Sequence, residues 1–295
     1  MAYNILNYNS QDANGARYND LKIIIAATKP DIIMLCEISN GQAPDYLLSN
    51  AVIAAGVGTF TRAVFFDNND TDNLLFYNSS KIKLKSQKQI FTTLRAISQY
   101  QIYTGPAPGD TAFMYLHMAH LKASSTPADE AQRDQEVLSF CNDIASLPST
   151  ANIIFAGDLN LKGNSEPAWI RLMGNGCSHA FIDPINQVGL WNNNPAYASI
   201  HTQSTRSSIS AGCCGGSTGG MDDRFDFILG NNNVMTGDFR VKYVPGSYEA
   251  FGNDGQHFNL SLLEAPANSV VSSTVNQALF NMSDHLPVIM KVAVG

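Results

Sequence analysis

Charged residues are scarce in this sequence of 295 residues. Asp, Glu, Lys and Arg make up 15% of it, against roughly 25% in ordinary soluble domains. The 18 basic and 25 acidic side chains give a net charge of −7, which argues against a dedicated basic groove for nucleic acid. The apolar share of 44% excludes the disordered class, which combines low hydrophobicity with high net charge.

Membrane-spanning and targeting segments are also lacking. No apolar run reaches the roughly 18 to 20 residues that a membrane span needs, and no charged segment followed by an apolar one begins the chain. Asn, Ser, Thr and Gly take the place of the missing charges, a composition common in proteins that work outside the cell. This association favours a secreted or periplasmic protein, with a signal peptide that is absent from this chain. Separately, we expect a monomer.

The five cysteines include no CxxC pair of the kind that holds zinc. Cys36 lies in an apolar run, so we expect it to be a buried thiol. Cys213 and Cys214 are adjacent in a Gly-rich stretch, and either could form a disulfide with Cys177 in an oxidising compartment. The sequence leaves this pairing open.

Strand-like and helix-like segments alternate along the whole chain. Helical spacing of apolar residues predicts helices over residues 17–29 and 127–147. The run DIIMLCEI at 31–38 is nearly all apolar, which fits a strand buried on both faces. The other predicted strands are 3–8, 74–77, 81–91, 97–103, 112–121, 152–156, 225–229 and 287–294.

One long segment, residues 204–223, shows almost no apolar periodicity and is predicted to be a loop. Loops longer than about 12 to 15 residues in compact domains tend to be functional or mobile. This loop leads directly into a predicted strand, and no Pro-rich or Gly/Ser-rich linker divides the chain. We therefore expect a single domain over residues 1–295.

Lone polar residues stand at the ends of the apolar strands, where a ligand site of an open α/β sheet would lie. Carboxylates that converge there repel one another unless a cation neutralises them. Because the available ligands are oxygens and not thiolates, that cation should be a hard one, Mg²⁺ or Ca²⁺, with Mn²⁺ as a further alternative. The residues are Asn4, Glu37, His120, Asp158, Asn160, Asp226, Asp284 and His285.

Each of these residues, taken alone, also has a purely structural explanation. Asp158 and Asn160 could form an Asx turn after a strand, and Glu37 could end its strand in a salt bridge. His117 ranks below His120 as a functional residue, because strand parity places it on the opposite face. The joint pattern, and not any single residue, favours a functional site.

Short motifs in a fixed order connect the sequence to a known family. They are YNI at 3–5, the strand-ending Glu37, HLKA at 120–123, GDLN at 157–160, RFDFIL at 224–229 and SDHLPV at 283–288. In this order the chain resembles the endonuclease/exonuclease/phosphatase superfamily, which includes DNase I, abasic-site endonucleases, sphingomyelinases and inositol polyphosphate phosphatases. The resemblance runs from Asn4 to about Val294. It implies an α/β fold of the DNase I type, a four-layer α/β/β/α sandwich of two mixed β-sheets flanked by helices.

The resemblance also implies roles for the motif residues. Glu37 would be the main Mg²⁺ ligand, with Asn4 and Asp284 as further metal-site residues. Asp158 would orient or deprotonate the attacking water. Asn160 would hold a phosphate oxygen or the nucleophile.

Two histidines and one arginine complete the implied site. His285, polarised by Asp226, would lie against the scissile phosphate, because a carboxylate partner raises the imidazole pKa and fixes its tautomer. His120 matches the second histidine of the DNase I branch, a candidate acid for the leaving oxygen. Arg95 matches a basic phosphate contact of that branch and would bind substrate.

We expect an Mg²⁺-dependent phosphodiester hydrolase, a secreted non-specific endonuclease acting on DNA or RNA. This expectation depends on His120 and His285 together, a pairing shared with DNase I and with sphingomyelinases. The alternative is a sphingomyelinase-like phosphodiesterase or phosphatase on a lipid head group or other small phosphate ester. A non-enzymatic binding module on the same fold is disfavoured, because no residue of the motifs is missing.

The lipid alternative makes a structural demand. Membrane-active members need exposed aromatic or aliphatic hairpins. The candidates are Phe65, Phe66 and Trp191, and each is explained more simply as a core residue.

Overall fold

Strands and helices alternate along the chain, as the sequence predicts. A computed structural model describes residues 1–11, 13–68, 70–105, 111–208 and 215–295, with the backbone alone for residues 13 and 14. The strands are β1 (Ala2–Tyr8), β2 (Ile32–Ile38), β3 (Phe60–Arg62), β4 (Asp72–Asn78), β5 (Lys83–Ile90), β6 (Ile97–Thr104), β7 (Ala112–His120), β8 (Ile153–Asp158), β9 (Phe181–Ile182), β10 (Asp226–Asn231), β11 (Val241–Tyr243), β12 (Glu249–Ala250), β13 (Val288–Ile289) and β14 (Val292–Val294). The α-helices are α1 (Tyr18–Thr28), α2 (Ala43–Leu47), α3 (Pro127–Ile144), α4 (Pro167–Leu172), α5 (Asn232–Thr236) and α6 (Ser273–Met282), and shorter helical segments span Ala13–Arg17, Leu48–Ile53 and Pro195–Ile200.

Two mixed sheets of six strands pack face to face. Their strand orders are β12-β13-β1-β2-β4-β3 and β5-β6-β7-β8-β10-β9, and a separate small sheet joins β11 to β14. In each large sheet one central pair is parallel, β1 with β2 and β7 with β8, and a helix connects the two strands of the pair. With helices on both outer faces, the expected four-layer sandwich is confirmed.

Alternating side chains of the central strands separate the layers. In β2, Leu35 faces the helices beside it, whereas Met34 and Cys36 face the other sheet. In β8, Phe155 packs against α3 and α4 while Ile154 faces inward. Both strands are therefore buried on both faces, and Cys36 is the buried free thiol that the sequence predicts.

The ends of the two connecting helices follow from local sequence. At the start of α3, Thr126 Oγ1 accepts a hydrogen bond from the Asp129 amide at 3.3 Å, and Asp129 accepts one from the Thr126 amide at 3.0 Å. Pro127 occupies the first turn, where its missing N–H costs nothing. Helix α1 ends with Lys29 in the left-handed region, φ +47°, just before Pro30.

Cys177 forms a disulfide with Cys141, with their Cα atoms 5.0 Å apart. This bond excludes the pairing of Cys177 with Cys213 or Cys214, which the sequence left open. Cys141 lies on the buried face of α3, which packs against α4 and the loop that follows it. Cys213 and Cys214 lie outside the described residues.

The last predicted strand, 287–294, is divided in two. Strand β13 pairs with β1 and β12, whereas β14 pairs with β11, so the chain changes sheets between them. The described part of 204–223 is largely irregular, as predicted, although residues 209–214 lie outside the description. Among the described residues, no helix combines the length and apolar character needed to cross a membrane.

Candidate active site

The end of β1 is shaped by a backbone irregularity that holds two site residues. The ladder between β1 and β2 shifts register between Asn4 and Tyr8, and Leu6, Asn7 and Glu37 adopt positive φ of 49°, 44° and 63°. In this geometry the Leu6 amide donates to Asn4 Oδ1 at 2.9 Å and the Asn7 amide donates to Glu37 Oε2 at 2.8 Å. The irregular backbone thus fixes both side chains.

The backbone conformation explains the residue types at both ends of the GDLN motif, Gly157 and Asn160. Gly157 has φ +130°, and a Cβ at this position would lie 1.9 Å from the Ala119 carbonyl oxygen of the neighbouring strand. Asn160 has φ +52°, a region that asparagine tolerates. The backbone N–H of Asn160 donates to Asp158 Oδ1 at 3.1 Å, and its side-chain Nδ2 donates to the Leu121 carbonyl at 3.1 Å. The motif therefore turns Asp158 toward the edge of the sandwich.

Asp226 begins its strand and does not end it, contrary to the expected pattern. Because β10 is antiparallel to β8, the pairing of Asp226 with Asp158 places both carboxylates at the same edge. Before it, Arg224 is fully buried and donates to both oxygens of Asp183, at 2.9 and 2.8 Å. This buried pair fixes the entry into β10.

The SDHLPV motif is tied to β1 and β10 by side-chain hydrogen bonds. Ser283 Oγ donates to the Asn4 carbonyl at 2.7 Å and accepts from the His285 amide at 3.1 Å. His285 Nδ1 lies 2.7 Å from Asp226 Oδ2, and Leu286 is buried in the core. His285 thereby presents its other ring nitrogen, Nε2, to the cleft.

Five of the predicted residues meet at the edge where the two sheets face each other. Asn4 Nδ2 donates to Glu37 Oε1 at 2.8 Å and to Asp158 Oδ2 at 3.0 Å. His120 has Nδ1 3.8 Å from Glu37 Oε1 and Nε2 3.6 Å from Asp158 Oδ2. His285 Nε2 is also 3.6 Å from Asp158 Oδ2. The group opens onto a cleft of about 440 Å³, which Asn160 and Lys162 also line.

A divalent cation fits this group chemically. Glu37, His120 and Asp158 each offer one ligand atom, and the three atoms lie within 4.8 Å of one another. His120 Nδ1 is buried and has no hydrogen-bond partner within the described ranges, as expected of a nitrogen reserved for a ligand. Two carboxylates with one imidazole suit Mn²⁺ and related ions as well as Mg²⁺.

Asp284 lies beside this group and is bound to a residue that the sequence analysis missed. Its Oδ2 accepts from the Ser217 amide at 2.6 Å and from Gln203 Nε2 at 3.2 Å. Gln203 Nε2 also lies 2.6 Å from His285 Nε2. Gln203 belongs to an aperiodic segment without a motif, so no sequence signal marks it.

Arg95 lies behind His120 and away from the main cleft. Its Nη1 is 3.5 Å from the His120 carbonyl oxygen and its Nε is 2.9 Å from Asp70. With Asp70 and Phe91, it lines a neighbouring pocket of about 210 Å³. A direct contact of Arg95 with substrate stays a prediction.

Burial and neighbouring charges set the protonation states of the site. Burial, followed by the charge of Arg95, holds the pKa of His120 well below its usual value. Burial also raises the pKa of Asp158 to about 7, although the charge of His285 opposes it. Burial acts to lower the pKa of His285, but the carboxylate of Asp226 and its neighbours outweigh burial and raise that pKa well above its usual value.

Carboxylates, imidazoles and amides thus meet in one open cleft, at the edge of an α/β sandwich. The chain belongs to the Endonuclease/Exonuclease/phosphatase family, whose model matches residues 1–285. The family resemblance seen in the motifs is thereby confirmed, and with it hydrolysis of phosphoester bonds as the activity class. None of the curated proteins matches this sequence.

Solved structures share the fold over nearly the whole chain. D. rerio TDP2 complexed with a single-strand DNA product is 16% identical, with a TM-score of 0.62 and coverage of 99% of this chain and 97% of that one. The human Nocturnin catalytic domain with bound sulfate is 14% identical, with a TM-score of 0.59 and coverage of 100% and 93%. An endonuclease/exonuclease/phosphatase from Bacteroides vulgatus is 14% identical, with a TM-score of 0.61 and coverage of 100% and 97%. At these identities the likeness shows the fold.

Proposed function

We propose that this chain is a metal-dependent phosphodiesterase that cleaves nucleic acid internally and without sequence specificity. The observation that carries the proposal is the meeting of Glu37, His120 and Asp158 with the His285–Asp226 pair in one cleft. The DNA product in the D. rerio TDP2 structure supports a nucleic acid substrate. We take residues 1–295 to act as one catalytic domain and as a monomer.

The ion is Mg²⁺ in this proposal, with Mn²⁺ or Ca²⁺ as alternatives, and Glu37, Asp158 and His120 would hold it. When bound, it supplies positive charge that offsets the developing charge on the phosphate. Because the low pKa of His120 keeps its imidazole neutral at neutral pH, we assign this residue to ligand binding and not to proton donation.

Asp158 takes the proton of the attacking water. Burial favours the protonated form of Asp158 and so makes it a stronger base than an exposed aspartate, whereas a bound ion would act in the opposite direction. Asn4 and Asn160 each donate to one of its oxygens, at 3.0 and 3.1 Å, which fixes the orientation of the carboxylate.

His285 supplies the proton that the leaving oxygen needs. As the bond from the water oxygen to phosphorus forms, the bond to the leaving oxygen breaks and that oxygen takes the proton from Nε2. The Asp226 contact at 2.7 Å stabilises the imidazolium and orients the ring. Asp158 then releases its proton to solvent and His285 takes one up, which restores the starting state of the enzyme.

Secretion or a periplasmic location is the proposed setting. The Cys141–Cys177 disulfide supports it, because disulfides form and persist in oxidising compartments and are rare in the cytosol of most organisms.

One observation favours a second function, hydrolysis of a lipid head group. Phe91 is 73% exposed and Leu94 is 40% exposed in the turn between β5 and β6, beside Arg95. Trp191, one of the residues considered from sequence for a membrane contact, is fully buried, and Phe65 and Phe66 are half-buried. The exposed pair is the kind of apolar hairpin tip that could enter a lipid surface.

The test compares plasmid DNA, single-stranded RNA, bis-p-nitrophenyl phosphate and sphingomyelin vesicles, each with Mg²⁺ or with EDTA. We expect EDTA, Glu37→Ala and His285→Ala to abolish DNA cleavage. Glu130→Ala and His179→Ala, which change the same residue types away from the cleft, should leave cleavage intact. If the protein hydrolysed only the vesicles and lost this activity in Phe91→Ser, the lipid function would be correct and the nuclease proposal wrong. If Glu37→Ala and His285→Ala both kept activity, the assigned site would be wrong.

A further inference from the structure

We propose that Lys162 binds a second phosphate of the substrate, the one next to the scissile phosphate along a nucleic acid strand. This assignment rests on the proposed nuclease function and adds a residue that selects substrates with more than one phosphate. Lys162 touches no reacting atom and transfers no proton, so its role is in binding and specificity.

Lys162 lines the same cleft as the proposed metal ligands and His285. It comes two residues after Asn160, whose backbone N–H donates to the carboxylate of Asp158 at 3.1 Å. Among the described residues that line the cleft, it is the one lysine or arginine. The cleft volume of about 440 Å³ lies in the usual range of ligand pockets, roughly 300 to 1,000 Å³, which leaves room for more than a single phosphate.

The ammonium of Lys162 has hydrogen-bond donors available. A lysine carries three N–H donors and no acceptor. Within the part of the chain that the structure describes, Nζ makes no hydrogen bond and no ion pair, and it lies 5.4 Å from the centre of the Phe225 ring. The ring attracts the cation but supplies no oxygen or nitrogen acceptor. The N–H groups can therefore donate to an anionic oxygen in the cleft.

Three other basic side chains approach the cleft, and each is already engaged. Lys122 Nζ donates to a neighbouring carbonyl at 2.9 Å and lies 3.1 Å from Asp129. Arg206 is fully buried, and its guanidinium donates to main-chain carbonyls at 2.9 to 3.2 Å. Arg95 is paired with Asp70 in the neighbouring pocket. Of these four cations, the lysine inside the cleft is the one left to meet the substrate.

The backbone of Lys162 is held on both sides. Its N–H donates to Glu166 Oε1 at 2.7 Å, and its carbonyl accepts from the amides of Trp191 and Asn192 at 2.8 and 3.2 Å. Because Glu166 and Trp191 are buried, these contacts keep the backbone in one position. Only the side chain has to be ordered when a phosphate binds, which limits the entropy lost on binding.

Two nearby aspartates make a cation necessary at this end of the cleft. Burial, followed by the charge of Asp223, raises the pKa of Asp222 to about 6, and the charge of Lys162 opposes this rise. Asp223 also lines the cleft and accepts from Asn192 Nδ2 at 2.6 Å. These acids repel a strand phosphate unless a nearby positive charge offsets them. The same positive charge repels the choline of sphingomyelin, so Lys162 favours a nucleic acid strand over that head group.

The first test compares thymidine trinucleotides that have two phosphates with trinucleotides in which the first or the second linkage is a neutral methylphosphonate. With Mn²⁺, the wild type should cleave the all-phosphate strand with a kcat/KM, per cleavable linkage, roughly tenfold above that of at least one neutral form, the effect of one hydrogen bond to a charged group. Lys162→Met should lose most of this preference. Lys162→Arg should keep it, because arginine retains the charge. Lys22→Met, on the outer helix α1, is the matched control and should behave as the wild type.

The second measurement does not require cleavage. Fluorescence anisotropy of a labelled hexathymidylate in EDTA gives its binding constant K over a range of KCl concentrations. The slope of log K against log [KCl] should be smaller by about 0.7 in Lys162→Met, the contribution of one phosphate contact in a single strand. Thermal unfolding of Lys162→Met should match the wild type, because methionine leaves the backbone contacts in place.

Three results would overturn the assignment. They are an unchanged preference for the all-phosphate strand in Lys162→Met, an unchanged salt slope, and an equal loss of kcat/KM with bis-p-nitrophenyl phosphate, which has only the scissile phosphate. If the wild type cleaves no nucleic acid, the proposed function fails, and the salt slope alone then decides on Lys162. In that case an unchanged slope, or no measurable binding, would show that Lys162 does not bind a strand phosphate.

Discussion

Two strand–helix–strand units build the site, and they differ in how their backbone is held. In β1–α1–β2 and in β7–α3–β8 alike, a helix joins two parallel strands at the centre of a sheet. The first unit carries Asn4 and Glu37, and the second ends in His120 and Asp158. The ladder of the second unit runs without interruption to the pairing of His120 with Asp158, whereas that of the first is broken.

The first unit contains strained backbone close to its site residues. Leu6, Asn7, Glu37 and the α1 cap Lys29 all have positive φ between 44° and 63°. For a residue other than glycine this region costs roughly 1 to 2 kcal/mol. The hydrogen bonds from the Leu6 and Asn7 amides to the site side chains oppose that cost.

The second unit also contains a residue with positive φ, Ser124 at +78°, but contacts outside the site hold its backbone. Arg133 is fully buried in α3 and donates through Nε and Nη2 to Glu166, at 2.8 and 2.7 Å. Its Nη1 donates to the carbonyls of Lys122 and Ser124, each at 2.8 Å, and so positions the loop after β7. The disulfide ties the same helix to the loop after α4. In the first unit the site side chains themselves stabilise the strained backbone, so a change at the site should also change local stability. In the second unit residues outside the site provide the stability, so stability can be changed without changing the site residues.

The largest expected effect comes from Glu37→Gln. The amide keeps an acceptor for the Asn7 N–H but loses the charge that attracts the ion, so kcat should fall on the order of 10⁴-fold, since an ion supplies several kcal/mol of transition-state stabilisation. Calorimetry should show a parallel loss of Mn²⁺ affinity. Glu130→Gln is the control, and full Mn²⁺ affinity in Glu37→Gln would place the ion elsewhere.

Arg133→Met should lower the stability of the second unit while leaving the site residues themselves unchanged. Removing one partner leaves the Glu166 charge buried and unpaired, so the free energy of unfolding in urea should fall by roughly 3 to 5 kcal/mol. The double variant Arg133→Met/Glu166→Leu should recover part of this loss. A double variant less stable than the single one would contradict this account of the pair.

Removal of the disulfide should have the next largest effect. Cys141→Ser/Cys177→Ser should lower the free energy of unfolding by roughly 2 to 4 kcal/mol, the usual range for a native bridge. Dithiothreitol should destabilise the wild type by a similar amount and leave the double variant unchanged. Equal stability of the wild type with and without reductant would show that the bridge does not hold α3 in place.

His117, in strand β7 of the second unit, should make the free energy of unfolding depend on pH. Burial lowers its pKa to about 3, so between that value and the ordinary 6.5 the unfolded chain binds more protons than the folded one, and stability falls as the pH falls. Each pH unit within this window contributes at most about 1.4 kcal/mol. Urea unfolding from pH 7 to pH 5 should show a shallower slope in His117→Gln, and identical slopes would disprove the prediction.

The smallest expected effect is an increase in the free energy of unfolding, caused by a substitution in the first unit. Lys29→Gly places glycine at the left-handed cap of α1 and should raise the free energy of unfolding by about 1 kcal/mol. Lys22→Gly, inside the same helix, should lower it by a similar amount. The pair can be measured by thermal unfolding, and a loss of stability in Lys29→Gly would argue against strain at this cap.

The motifs imply the sandwich through the family resemblance, and local patterns predict most of the strands and of the candidate site residues. The apolar runs around Cys36 and Phe155 mark the central strands, and the motifs that follow them place Glu37 and Asp158 at one edge. The helix boundaries at Lys29 and Pro127 agree with the structure to within a residue, since capping and proline act locally.

What the sequence does not predict depends on contacts between distant segments. Asp226 reaches the site from the start of a strand, which requires knowing that β10 is antiparallel to β8. Cys141 pairs with Cys177 because α3 and α4 pack together, and their spacing of 36 residues carries no signal. Gln203 reaches His285 from an aperiodic segment that only the finished fold positions.

Gly157 has a consequence for how relatives of this chain should be compared. Any side chain there would collide with the Ala119 carbonyl of the parallel neighbour, so the glycine is required by the fold whether or not the protein has activity. A relative that had lost its chemistry would keep this glycine while the aspartate beside it was free to change. Among such sequences, the glycine identifies the architecture, whereas a change at Asp158 would mark those that, under the proposed mechanism, no longer hydrolyse phosphoesters.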